Sequence, residues 1–216
     1  MFKELRDTLN AYKARDPAAR SSLEIFLLYP GVRAIRRHRC ANWFYRRNLK
    51  FIARWISNGT RRRTGIEIHP GAKIGKRLVI DHGMGIVIGE TTEIGDDVLI
   101  YQGVTLGGTG KDKGKRHPTI GSNVMIGSGA KVLGPFKVGD GARIAANAVV
   151  LEEIPPGSTA VGVPARVVRI KGEKVDYVSE VDQISVTDPI ATELIALRQE
   201  VKRLAKLLEA QKDEAV

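Results

Sequence analysis

Cysteine is almost absent from this chain. Cys40 is the only one in 216 residues, so no intrachain disulfide can hold the fold and a disulfide-stapled secreted scaffold is excluded. Long apolar runs are missing too. No stretch approaches the roughly 18–20 apolar residues that a membrane-spanning helix needs, and the start, MFKELRDTLN, is too charged for a secretory signal. The expected compartment is therefore the cytoplasm. Aromatic residues make up only 6% of the chain while hydrophobic residues reach 43%, so the core must be built from aliphatic side chains. Acidic residues are scarce in one region alone: residues 1–64 hold 16 Lys and Arg against 4 Asp and Glu, and residues 65–216 hold 19 against 20. The net charge of +11 thus belongs to the N-terminal segment, and the chain as a whole is not expected to bind nucleic acid or membrane.

What the chain does contain is a six-residue period. Aliphatic residues stand at Ile68, Ile74, Ile80 and Ile86, then after a two-residue shift at Ile88, Ile94, Ile100 and Leu106, then at Ile120, Ile126, Val132, Val138, Ile144 and Val150. Six residues are too few for a helical repeat and suit a short strand plus a corner. Three such units make one coil of a triangular solenoid whose aliphatic positions stack in interior ladders. Between Leu106 and Ile120 the segment GGTGKDKGKRHPT leaves the register and rejoins it. This excursion loop, residues 107–119, is carried on a rigid coil and is a natural place for function.

The expected organisation is a helical segment over 1–64, the solenoid over 65–170, a polar linker over 171–188 and a C-terminal helix over 189–212. Within the first, helices are expected around 2–14 and 22–28. A break at Pro30-Gly31 precedes one longer helical stretch from about 32 to 57, whose Val32, Ile35, Cys40, Trp43, Phe44, Ile52, Trp55 and Ile56 form an apolar stripe for packing. Residues 161–165 form an extended exit. In the C-terminal helix, Ile190, Leu194, Leu197, Val201, Leu204 and Leu208 alternate in steps of four and three, a short heptad seam.

The solenoid carries Ile68-His69-Pro70-Gly71-Ala72-Lys73-Ile74-Gly75, Asp81-His82-Gly83-Met84-Gly85, Gly89-Glu90-Thr91, Val104-Thr105-Leu106-Gly107-Gly108-Thr109-Gly110-Lys111 and Arg116-His117-Pro118. Asp16-Pro17 lies upstream and Gly162-Val163-Pro164-Ala165-Arg166 at the exit. Over about residues 12–170 these motifs resemble bacterial and plant serine acetyltransferases. Hexapeptide repeats alone indicate only a broad acyltransferase superfamily; Asp-His-Gly-x-Gly with Gly-Gly-Thr-Gly-Lys and Arg-His-Pro is more specific. The resemblance implies a left-handed parallel β-helix (hexapeptide-repeat solenoid) with an N-terminal α-helical segment, forming a homotrimer or a hexamer of two trimers. It also implies acetyl transfer from acetyl-coenzyme A to L-serine, the first step of cysteine biosynthesis, without a metal.

Such a transfer needs a base, because a serine hydroxyl is a poor nucleophile, and a positioned general base supplies about 10²–10⁴ in rate. The resemblance assigns this role to His82, puts Glu67 at the position of its orienting carboxylate, and adds His117 to the catalytic group. Serine also offers a carboxylate and an ammonium. Arg116 can bind the first bidentately with a hydrogen bond from His117, and Asp16 with Asp81 can hold the second. In the cosubstrate groove, Gly107, Gly108 and Thr109 let the pantetheine approach the backbone, and Ser128, Arg143, Ala145 and Ala146 match positions that line the groove in the family. His69 and His38 read as packing or surface residues. Cys40 lies in the helical segment and no Ser-His-Asp set is evident, so direct transfer is expected rather than a covalent acetyl-enzyme.

Three other readings compete. A related acyltransferase could acetylate a sugar or xenobiotic hydroxyl, which would leave Arg116 and Asp16 without an amino acid to clamp. The same fold supports a zinc carbonic anhydrase, with His69, His82 and His117 as imagined ligands. The basic N-terminal segment, with Trp43, Phe44 and Tyr45 beside Arg46 and Arg47, could form an anion-binding amphipathic helix. Many relatives offer a C-terminal tail ending in isoleucine to O-acetylserine sulfhydrylase; this chain ends Asp213-Glu214-Ala215-Val216, which argues against that partnership.

Overall fold

The computed structural model describes residues 2–110, 113–170, 172–174, 193–194, 196–201 and 203–204. Four helices come first: α1 (Phe2–Arg15), α2 (Ser22–Leu28), α3 (Pro30–Arg46) and α4 (Lys50–Thr64). Short strands then wind into three sheets. One contains β1 (Glu67–Ile68), β4 (Val87–Ile88), β7 (Thr105–Gly107), β10 (Lys131–Leu133) and β13 (Val149–Val150). A second contains β2 (Lys73–Ile74), β5 (Glu93–Ile94), β8 (Thr119–Ile120) and β11 (Lys137–Val138). The third contains β3 (Val79–Ile80), β6 (Leu99–Ile100), β9 (Met125–Ile126), β12 (Arg143–Ile144) and β14 (Ser158–Val161), continued antiparallel by β15 (Arg166–Ile170) and β16 (Glu173–Lys174).

Within the coils each strand pairs in parallel with the strand three further on, the signature of a three-sided parallel β-helix. Along the first sheet Glu67 pairs with Val87, Val87 with Thr105, Thr105 with Lys131 and Lys131 with Val149, steps of 20, 18, 26 and 18 residues. Three six-residue units account for 18. The surplus of two falls at the corner 81–86, and the surplus of eight falls between Gly107 and Thr119. Both interruptions contain candidate site residues.

The interior is a set of aliphatic ladders. Ile68, Ile88, Leu106, Val132 and Val150 stack along one side, and Ile80, Ile100, Ile126, Ile144 and Ala160 along another, all buried. Burying each larger side chain contributes about 1.5–3 kcal/mol, and each coil covers the open end of the one before it. Ile86, counted in the ladder by its spacing, instead occupies a corner; Ile88 takes the ladder place opposite Ile68. The two-residue surplus is what moves it.

The helices cap the first coil. Its exposed backbone groups are met by side chains: Ser57 Oγ donates to the carbonyl of Ile68 at 2.7 Å, Asn42 Nδ2 to Pro70 at 2.8 Å and an Arg39 guanidinium N–H to Gly75 at 3.0 Å. The Tyr12 hydroxyl accepts from the Ile80 amide at 3.0 Å and donates to the Ile80 carbonyl at 3.3 Å. An unpaired strand edge is thereby satisfied. Gly31 permits the approach, since a side chain there would overlap the Tyr12 hydroxyl and the Ile80 backbone.

The expected single helix over 32–57 is two helices. Asn48, at φ 61°, turns the chain between α3 and α4; asparagine tolerates this left-handed conformation, and no Gly or Pro marks the break. The expected stripe is only partly interior. Val32 and Ile35 are buried, whereas Cys40, Trp43 and Trp55 are exposed. α4 buries Ala53, Ser57, Thr60 and Thr64 instead, because small side chains let it lie close to β1. The exit is a hairpin of β14 and β15 rather than an extended segment, and the expected linker begins as β16. Most of that linker lies outside the described residues. The described positions between Glu193 and Leu204 are helical, with Leu194, Leu197, Val201 and Leu204 exposed; Ile190 and Leu208 lie outside the described residues. Among the described residues no helix is long and apolar enough to cross a membrane.

His38 is buried in α3, and burial lowers its pKa from 6.5 to about 4. Between those two values the unfolded chain binds a proton that the folded chain refuses, so stability is lost as pH falls through that window. The expected loss is about 3 kcal/mol. Urea unfolding from neutral pH down to about 4 should show a steeper decline for the wild type than for His38→Gln, which cannot titrate. Parallel declines would remove His38 as the cause.

Candidate active site

The corners of the solenoid stack into three edges. Along the edge that joins the third sheet to the first, Gly103 N–H donates to Met84 O, Gly129 to Gln102 and Asn147 to Ser128, each at 2.8 Å. Asp81, His82, Ser128, Ala145 and Ala146 therefore lie on one edge. Arg143 is in β12, which leads into it, with its side chain exposed. The edge that joins the first sheet to the second carries His69, Glu90, Thr91 and the excursion, with Gly107 at the end of β7 and Gly108, Thr109, Arg116 and His117 beyond it.

His82 is the second residue after β3. Its φ of 56° is in the left-handed region, unusual outside glycine and asparagine and frequent at functional sites. The side chain is 76% exposed, and its Nε2 lies 3.9 Å from Asp81 Oδ1. Asp16, just beyond α1, faces the same place. Its Oδ2 accepts from the Tyr29 hydroxyl at 2.6 Å and its Oδ1 from the Ala18 amide at 2.8 Å. The Tyr29 bond, then the Ala18 bond, hold this carboxyl below the usual range, with a smaller contribution from His82. Tyr29 is pushed up to about 12 by the same hydrogen bond. Tyr12 and Tyr29 meet edge to face, centroids 5.7 Å apart, so α1 and the start of α3 dock on β3 through two tyrosines. The result is two carboxylates beside an exposed imidazole. Glu67 opens β1, and its carboxylate pairs with Arg61 at 3.0 Å; among the described residues the carboxylate within ion-pair distance of His82 is Asp81.

On the other edge an Arg116 guanidinium N–H meets Glu90 Oε2 at 2.5 Å, and Glu90 Oε1 accepts from the Tyr45 hydroxyl at 2.8 Å. Arg116, then Tyr45, hold Glu90 below the usual carboxylate range. A guanidinium has five N–H donors, so this pairing orients Arg116 and leaves a fork for another anion. His117 is 8% exposed, and burial, then Arg116, lower its pKa. Gly108 brings the chain against Arg116, whose carbonyl would lie 2.9 Å from a side chain placed there. His69 packs its ring on Tyr45 at 5.7 Å.

The structure thus brings together Asp16, Asp81 and His82, and separately Arg116 and His117. Among the described residues no hydrogen bond or ion pair joins the two groups, and no set of three His, Cys, Asp or Glu is placed to hold a metal ion. Tyr29, Tyr45, Glu90 and Thr91 have supporting positions that the sequence pattern did not single out. The tyrosines carry no motif, and Glu90 and Thr91 were visible only as part of one.

A three-sided coil of hexapeptide units, with an imidazole and carboxylates at one edge and a cationic clamp at the next, defines a hexapeptide-repeat transferase. Residues 117–152 match the family model for the bacterial transferase hexapeptide (six repeats). The serine acetyltransferase of Bacillus pumilus is 52% identical over 203 residues, covering 94% of this chain and 93% of that one. The chain belongs to the serine acetyltransferase family and has its left-handed β-helix. Among solved structures, Neisseria gonorrhoeae serine acetyltransferase in complex with serine is similar with a TM-score of 0.75 and 41% identity, covering 77% of this chain and 68% of that one. Serine acetyltransferase in complex with coenzyme A from Brucella abortus is similar with a TM-score of 0.76 and 42% identity, covering 80% and 68%.

Proposed function

We propose that this chain transfers the acetyl group of acetyl-coenzyme A to the hydroxyl of L-serine, releasing O-acetyl-L-serine and coenzyme A. The observation that carries this reading is charge complementarity. Asp16 and Asp81 beside His82 suit the ammonium of an amino acid, and Arg116 with His117 suits its carboxylate. His82 takes the hydroxyl proton as the serine oxygen attacks the thioester carbonyl. When the tetrahedral intermediate collapses and the C–S bond breaks, the same proton passes to the departing sulfur. Clamping both ends of serine supplies the proximity advantage.

The two half-sites lie on different edges of one chain, which supports a site completed between neighbouring copies. In a homotrimer packed side by side, His82, Ser128, Arg143, Ala145 and Ala146 of one protomer face Gly107, Gly108, Thr109, Arg116 and His117 of the next, with acetyl-coenzyme A in the groove between them. The uncovered seam of Leu194, Leu197, Val201 and Leu204 provides a second contact around the threefold axis. Such an enzyme works in the cytoplasm, where both substrates are available.

Steady-state release of the coenzyme A thiol tests the assignment. L-Serine should support turnover and sugar acceptors should not; the reverse preference would overturn it. Arg116→Ala should raise the serine KM about ten- to a hundredfold, the worth of hydrogen bonds to a charged group, and leave the acetyl-coenzyme A KM unchanged.

A further inference from the structure

We infer that Thr91 is a positioning residue for the carboxylate clamp: it anchors Arg116 and His117 and fixes His117 as its Nε2–H tautomer, a neutral hydrogen-bond donor. This rests on the serine site proposed above. The Thr91 hydroxyl oxygen lies 3.0 Å from the Arg116 amide, 3.1 Å from the His117 amide and 2.9 Å from His117 Nδ1. A hydroxyl has two acceptor sites and one proton. Backbone N–H groups can only donate, so the two amides take both acceptor sites. The hydroxyl proton is then directed at Nδ1.

A second contact leads to the same assignment independently. The Thr91 backbone N–H is 3.2 Å from the same Nδ1, and it too can only donate. Nδ1 must therefore carry a lone pair, and the ring proton sits on Nε2. Gly89 makes room for that edge of the ring, since a side chain there would overlap Nε2 and Cδ2. The charges around the ring act in the same direction on balance: burial, Arg116 and Lys115 disfavour the imidazolium, Glu90 favours it, and His69 is close by. His117 thus has no free basic nitrogen at neutral pH. Its contribution is a donated N–H, and the base work falls to His82.

The test uses the full chain labelled with ¹⁵N-histidine, with His117→Gln identifying the His117 signals among the four histidines. Without any substrate, the wild type and Thr91→Ser should show His117 with an unprotonated Nδ1 and a protonated Nε2. Thr91→Val, which lacks the hydroxyl, should shift the Nδ1 resonance and raise the pH at which the ring protonates, because a hydrogen bond to the neutral form is lost. It should lower kcat/KM for serine about ten- to a hundredfold with the acetyl-coenzyme A KM unchanged, and Thr91→Ser should stay near wild type. A protonated Nδ1 in the wild type overturns the inference, as does Thr91→Val matching wild type or Thr91→Ser falling as far. If Thr91→Val does not fold, the wild-type spectrum and the Thr91→Ser kinetics still decide. A wild type with the expected tautomer but no serine turnover would overturn the proposed reaction instead.

Discussion

Replacing His82 with asparagine should lower kcat by about 10²–10⁴, the range a positioned general base supplies, with both KM values close to wild type. Asparagine is the informative choice because residue 82 is held at φ 56°. Alanine there would combine loss of the base with backbone strain, whereas asparagine tolerates the left-handed conformation. The side chain is 76% exposed, so its removal costs little packing. Thermal melting should match the wild type while thiol release collapses. Wild-type turnover in His82→Asn would remove His82 as the base. A large rise in serine KM at unchanged kcat would make it a binding group instead.

Mixing two impaired variants, assayed at serine well below the wild-type KM, should restore activity if the site is shared between chains. His82→Asn keeps an intact Arg116–His117 edge, and Arg116→Ala keeps an intact Asp81–His82 edge. In trimers assembled at random from equal amounts, about one quarter of the interfaces place the two intact edges face to face. At such serine concentrations co-refolded protein should therefore recover about a quarter of wild-type activity per site, against almost none for His82→Asn and about a tenth or less for Arg116→Ala alone or for the two mixed without refolding. No recovery after verified subunit exchange would sink the shared site. It would also leave the separation of the two edges without a functional explanation.

The repeat and its largest interruption were legible in the chain itself. Aliphatic residues at steps of six announced the coil. The break after Leu106 marked the loop that holds Arg116, whereas the two-residue shift was counted between Ile86 and Ile88 and the fold places it at the corner 81–86 that holds His82. The helical segment was less readable. Asn48 gave no Gly or Pro signal for the turn it makes, and the expected stripe counted Trp55 of α4, which is exposed, where Ser57 and Thr60 are buried. Glu67, matched by its motif to the carboxylate that orients His82, has Arg61 as an ion-pair partner in the fold.

The sequence by itself determined the solenoid, because in a β-helix each coil contacts only its neighbours and a local period becomes the core directly. It also determined where the excursion leaves the coil, since the six-residue count stops after Leu106 and resumes at Ile120. Only the tertiary structure decided which edge each corner joins. It put Asp16 beside His82 through Tyr12 and Tyr29, and Arg116 beside Glu90 and Thr91, contacts that depend on how helices dock and how an excursion folds back. Such contacts join residues whose separation follows no period, so no pattern in the chain announces them.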